Sequence, residues 1–116
     1  GGEVITVSAW VKSSPASLLM VQRGSGVSYA NRSKTVTSGS WVRIHETYTV
    51  QSGASSFYVD FGWESSNAVS GSTLRLDAIM ATQGTNLYSY GDGSSPGWSW
   101  DGTADNSTSF GPATLQ

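Results

Sequence analysis

Val4-Ile5-Thr6-Val7-Ser8-Ala9-Trp10-Val11-Lys12 alternates apolar and polar side chains residue by residue. Ile5, Val7, Ala9 and Val11 fall on one side, and Thr6, Ser8, Trp10 and Lys12 on the other. A period of two marks a β-strand with one buried face, and Val and Ile suit a pleated sheet better than a helix. The odd member is Trp10, an indole on the polar side. It reads either as cross-strand packing or as the start of a flat platform on which a sugar ring stacks.

The same pattern recurs outward from this stretch. Ser13-Ser14-Pro15 turns the chain, and residues 18–22 form a short apolar run. Gly24-Ser25-Gly26 turns or bulges it again before residues 27–30. Residues 31–35 read as a loop or a frayed edge strand carrying Arg32 and Lys34. Residues 41–50 are a second clear strand, with Val42, Ile44, Glu46 and Tyr48 on one face and Trp41, Arg43, His45, Thr47 and Thr49 on the other. Glu46 interrupts the apolar face. A buried carboxylate is costly unless paired, so a bulge near His45 or Glu46, or a strand end reaching water, is expected. In residues 57–63, Phe57, Val59, Phe61 and Trp63 face the core, while Tyr58, Asp60 and Glu64 face away. After a polar loop to residue 72, Leu74, Leu76, Ala78 and Met80 are expected inside, and Arg75 and Asp77 outside. No stretch keeps an apolar stripe of helical period. Short strands between turns predict an all-β antiparallel sandwich.

Composition narrows the function classes. The 116 residues suffice for one domain-sized core. Only 12% of them are charged and the formal net charge is −2, with Lys and Arg in no stripe, so no nucleic-acid partner is expected. No apolar run is long enough to span a bilayer. Cysteine is absent, which removes disulfides and thiolate metal sites, and one histidine, His45, is a poor basis for a catalytic triad. Glycines at positions 1 and 2 directly before a strand read as a fragment or mature segment.

The character of the chain changes from residue 84. Residues 84–116 are an irregular Gly/Ser/Trp-rich extension, distinct from the sandwich of residues 1–83. Gly91-Asp92-Gly93-Ser94-Ser95-Pro96-Gly97 is incompatible with a regular element. Asp101-Gly102 is a turn pair that makes a hairpin only with strands on both sides. Trp98 and Trp100 share a face if extended. They read either as a second sugar-stacking pair or as anchors for this segment on the sandwich or on a neighbouring subunit.

Several of these stretches resemble a known group. Thr6-Val7-Ser8-Ala9-Trp10-Val11-Lys12 resembles a strand of the carbohydrate-binding-module-like jelly rolls related to families 4 and 9. Ser40-Trp41-Val42-Arg43-Ile44 resembles their Gly/Ser-Trp-x-Arg-hydrophobic strand. Thr73-Leu74-Arg75-Leu76-Asp77-Ala78-Ile79 resembles their closing, aspartate-bearing strand. The run from Leu87 to Ser109, with Tyr90-Gly91-Asp92-Gly93-Ser94-Ser95-Pro96-Gly97-Trp98-Ser99-Trp100-Asp101-Gly102-Thr103, resembles a Tyr-Phe-Asp-Gly-Asp-Thr-Pro-Gly-x-x-Trp-x-Gly-Thr stretch. That stretch follows such jelly rolls in tail and minor tail proteins of phages infecting actinobacteria and related hosts. The resemblance implies a jelly roll lacking its first strands, a non-catalytic role in the virion tail outside the cell, and attachment to host-surface glycans. It also implies contact with other tail subunits or self-association. The family's structural calcium takes ligands from the absent N-terminal segment together with the aspartate matched by Asp77. One residue cannot fill a shell of six to eight oxygens, so Asp77 alone does not make a calcium site, and no cofactor is expected other than a structural calcium that the resemblance would supply.

Sugar recognition needs flat apolar rings and oriented polar groups. Trp10, His45, Tyr58, Asp60 and Arg75 are the candidates on the outward face, joined by Trp41 if its register holds, with Trp98 and Trp100 as a second pair. Catalysis would need two flanking carboxylates. Asp60 with Glu64 or with Asp77 is the nearest approach, and solvent-facing acids on a sheet are ordinary. The competing readings are a purely structural tail domain that mediates subunit assembly and a secreted carbohydrate-binding module.

Overall fold

The computed structural model describes residues 2–28, 30–63 and 70–116. It divides into two units, Gly1–Thr85 and Asn86–Gln116. The first holds β1 (Val4–Ser14), β2 (Ser17–Arg23), β3 (Ala30–Thr35), β4 (Trp41–Thr49), β5 (Tyr58–Gly62) and β6 (Thr73–Gln83). The second holds the short β7 (Ser99–Trp100) and β8 (Ser109–Phe110). The fold is all-β, with no helix among the described residues.

In the first unit, β4-β1-β6 form one sheet and β3-β2-β5 the other, with every pairing antiparallel. Val7, Ala9 and Val11 of β1, with Ile44 and Tyr48 of β4, meet Leu18 and Met20 of β2 in a continuous core. Phe57, Val59, Phe61 and Trp63 pack against it. Alternation therefore places these side chains as the sequence predicts, and the two inner faces bury each other as sandwich layers must. The Trp63 indole donates from Nε1 to Ser13 Oγ at 3.0 Å, and that hydroxyl donates in turn to the Pro15 carbonyl.

Of the two readings of residues 31–35, the edge strand holds: they belong to β3, an outer strand of its sheet among the described residues, paired along β2 from Ser17↔Thr35 to Gln22↔Ala30. Two other expectations need correction. β4 carries no bulge at Glu46, because its register with β1 runs unbroken from Val4↔Thr49 to Lys12↔Trp41. Glu46 stays on the inner face, opposite Val7, because it is paired there. Lys34 contacts one carboxylate oxygen, and Arg32 Nη1 donates to the other at 3.2 Å. Both cations come from β3, so this charge cluster joins the two sheets. Arg32 also lies 5.5 Å from the centre of the Tyr48 ring.

The second correction concerns β6. The bulge is here: Ser8 pairs with Met80 and Trp10 with Asp77, so Ala78 and Ile79 together oppose Ala9. Ala78 takes a positive φ of 50°, and its amide donates to Asp77 Oδ1 at 2.8 Å. One extra residue reverses the alternation beyond it. Leu74 faces the core and Leu76 shares the face of Val11, but Met80 is turned to the opposite face beside Ser8.

The second unit is built around its tryptophans. β7 and β8 pair through Ser99↔Phe110 and Trp100↔Ser109, and the Asp101 amide donates to the Thr108 carbonyl at 2.8 Å. The Asp101-Gly102 pair thus opens the loop of a true hairpin. Tyr88 bridges to Leu115, closing the ends of the segment. Asp92 organises the glycine-rich run: Oδ1 accepts the Ser94 amide at 2.8 Å and Oδ2 accepts the Tyr90 hydroxyl at 2.6 Å. These bonds hold its carboxyl below the usual aspartate range, the Tyr90 hydroxyl contributing most.

Candidate functional site

Side chains directly opposite one another in a sheet share a face, so the β1 register defines the outward surface of the β4-β1-β6 sheet. Ser8 lies between His45 and Met80, Trp10 between Arg43 and Asp77, and Lys12 between Trp41 and Arg75. Trp10 is 40% exposed and Trp41 45%. They are diagonal neighbours on adjacent strands, a relation that puts Cα atoms about 7–8 Å apart and within reach of large rings. Two indoles therefore stand side by side on an open face, with cations, a carboxylate and an imidazole around them.

The polar groups of this face differ in how firmly they are held. Arg43 is half-buried and donates from Nη2 to Ser8 Oγ at 3.1 Å. Burial pulls its pKa below the ordinary guanidinium value, because losing water disfavours the charged form. His45, Arg75 and Asp77 are exposed. At the far end of the face, Thr6 is buried; its hydroxyl donates to the Gly84 carbonyl at 2.7 Å and lies 3.1 Å from Thr47 Oγ1.

Tyr58 and Asp60 are not part of this surface. They lie on the outward face of the β3-β2-β5 sheet, where Tyr58 is opposite Arg23 and Asp60 opposite Val21. A single face carrying both Trp10 and Tyr58 is therefore not formed, because β1 and β5 belong to opposed sheets whose inner sides share one core. Asp60 Oδ2 instead pairs with Arg23 Nε at 2.6 Å. A cavity of about 380 Å³ lies beside them, lined by Arg23, Gly24, Ser25, Val27, Ser56 and Tyr58.

Trp98 and Trp100 are half-buried within their own unit. A Cβ on Gly111 would fall 2.0 Å from Trp98 Cδ2, and one on Gly91 would fall 2.5 Å from Cζ2, so bare backbone contacts the ring from two positions. Trp100 lies against Gly93 in the same way, and its Nε1 donates to Ser94 Oγ at 3.2 Å. These rings serve as anchors for the segment.

Of the carboxylate pairs, Asp60 and Asp77 lie on different sheets, and Glu64 is outside the described residues. No group of three or more His, Cys, Asp or Glu side chains is placed to hold a metal among the described residues. Asp77, the calcium candidate, accepts the Ala78 amide of the bulge on Oδ1. The structure thus unites Trp10, His45 and Arg75 on one sheet face, places Tyr58 and Asp60 on the other sheet, and packs Trp98 and Trp100 against glycines of their own unit. The register of Trp41 holds, which brings it onto this face with Trp10, and the structure adds Lys12 and Arg43, whose outward parity is written in the same alternation as that of Trp10. No family model, curated protein or solved structure matches this chain.

Proposed function

We propose that this chain is a non-catalytic carbohydrate-binding module of a phage tail protein, which holds host-surface glycan on the outward face of the β4-β1-β6 sheet. The observation that carries the reading is the exposed Trp10–Trp41 pair, set in register among Lys12, Arg43, His45, Asp77 and Arg75. An indole offers the apolar area on which the C–H face of a sugar ring stacks. The surrounding side chains donate and accept the hydrogen bonds that orient hydroxyls. The virion location rests on the resemblance of the segment from Leu87 to Ser109.

An open platform buries little of its ligand, so the affinity expected is millimolar to high micromolar, roughly −4 to −6 kcal/mol. A glycan array followed by calorimetric titration tests the reading. Trp10→Ala should remove roughly 1–3 kcal/mol of binding with the fold intact. Glycans that bind equally well to the variant would place the site elsewhere.

A purely structural role has its own supporting observation. Leu76 is 40% and Ile79 53% exposed on β6, which is an outer strand of its sheet among the described residues, and such an edge invites pairing with another chain. An empty array together with concentration-dependent association in sedimentation would favour that reading.

A further inference from the structure

We infer that the glycan taken by this face is acidic, carrying carboxylate, sulfate or phosphate groups on its sugar chain; the inference rests on the glycan-binding reading above. Its basis is the uneven placement of charge. The chain has six Lys and Arg against eight Asp and Glu, yet Lys12, Arg43 and Arg75 all lie on one sheet face, where Asp77 is, among the described residues, the one carboxylate in register with them. The remaining cations are engaged elsewhere: Arg23 with Asp60, and Arg32 and Lys34 with Glu46. A molecule that is net negative therefore presents a positive face beside its two exposed indoles.

The register sharpens this. Lys12 stands directly opposite Arg75 across the β1–β6 pair, and like charges so placed destabilise a sheet. Among the described residues neither forms an ion pair. Trp41 flanks Lys12 on the other side, and Trp10 precedes it by two residues on the same face. An anion seated between Lys12 and Arg75 relieves their repulsion while its sugar ring lies on an indole. Neutral glycan gains the stacking but leaves the repulsion in place. Binding of the acidic form should therefore weaken as salt screens exposed charges.

The test uses the full chain and matched probes: polygalacturonate against its methyl ester, dextran sulfate against dextran, and inorganic polyphosphate as a polyanion without sugar. These are titrated calorimetrically at low and at high sodium chloride, beside a glycan array. The expected result is that array hits concentrate among acidic glycans and that at least one charged probe binds about ten-fold or more tighter than its neutral partner at low salt, the preference shrinking at high salt. The carboxylate and sulfate pairs tell which acidic group is preferred. Lys12→Gln and Arg75→Gln, which keep a hydrogen-bonding amide but lose the charge, should each reduce the charged-over-neutral preference several-fold, weakening the charged probe far more than its neutral partner. Trp10→Ala should weaken both. Because each charge-removing variant relieves the Lys12–Arg75 repulsion, neither should melt below wild type at low salt, which separates lost binding from lost folding. Equal binding of charged and neutral partners overturns the acidic assignment and leaves the glycan reading standing. Binding of polyphosphate as tight as that of the acidic glycans, untouched by Trp10→Ala, overturns it in favour of a general polyanion surface. Failure of every sugar probe and of the array overturns both readings.

Discussion

In the unit that ends at Thr85, apolar side chains meet apolar side chains across two sheets. In the unit that begins at Asn86, indole rings meet bare backbone. The first device needs alternation and bulk, so Val7, Ala9, Val11, Leu18 and Met20 are buried against one another. The second needs the absence of side chains at chosen positions, so Gly91, Gly93 and Gly111 matter as much as the tryptophans they touch. A core of side chains tolerates a swap of similar volume. A ring laid on glycine tolerates no added carbon at all, since even a methyl group enters the ring's own space.

The largest expected effect comes from the side-chain core. Met20 is fully buried between the sheets. Met20→Ala should cost about 2–5 kcal/mol through lost burial and the cavity left behind. Amide hydrogen exchange should speed throughout β1, β2 and β4 and leave the amides of Ser89, Trp98 and Asp101 at their wild-type rates. Equal acceleration in both units would show that they do not rely on separate devices.

The second effect is the reverse experiment. Gly111→Ala puts a Cβ 2.0 Å from Trp98 Cδ2, and such overpacking costs about 1–3 kcal/mol. Exchange should speed at Ser89, Trp98 and Asp101, with a shift in tryptophan emission, while β1 and β4 remain protected. An unchanged spectrum would mean that Trp98 does not depend on this glycine.

The contrast also explains what can be read in advance. The inward sets on β1 and β5 follow from parity alone, and so does their burial. Parity says in or out, however, and not which sheet. Trp10 and Tyr58 both point outward as parity requires, yet they belong to different walls of the sandwich. The bulge at Ala78 and Ile79 is invisible in the sequence because neither residue marks a positive φ; Asp77 supplies the local hydrogen bond that accommodates it. Glu46 is legible as an exception and illegible in its remedy, since Arg32 and Lys34 lie in a strand of the other sheet. The facing of Lys12 and Arg75 requires the β1–β6 register, which only the folded chain supplies. In the second unit the glycines are visible but their partners are not: Gly111 and Trp98 meet through the return of β8 along β7.

The smallest effect at neutral pH tests the one polar atom that the side-chain core handles poorly. Tyr48 is 1% exposed, its ring packs edge-on to Phe57 with centroids 5.8 Å apart, and its hydroxyl has no hydrogen-bond partner among the described residues. Burial and the nearby Glu46 carboxylate push its pKa up to about 12, against a partial opposing pull from Arg32. Between about 10 and 12 the folded chain keeps a proton that the unfolded chain releases, so the folded state binds more protons and stability falls as pH rises. Below about pH 10 this contribution is fully present. At neutral pH, Tyr48→Phe removes an unsatisfied buried hydroxyl and keeps the ring, so it should be neutral or stabilising by about 1 kcal/mol. From pH 10 to pH 12 the gap should widen in favour of the variant, by up to about 1.4 kcal/mol for each step of one in pH. Urea denaturation of both proteins at pH 8 and near pH 11 measures it, and the difference between them cancels the titration of the other tyrosines and lysines. A variant less stable than wild type at pH 8, with the same alkaline decline, would mean that the hydroxyl is satisfied and that the core has no such weak point.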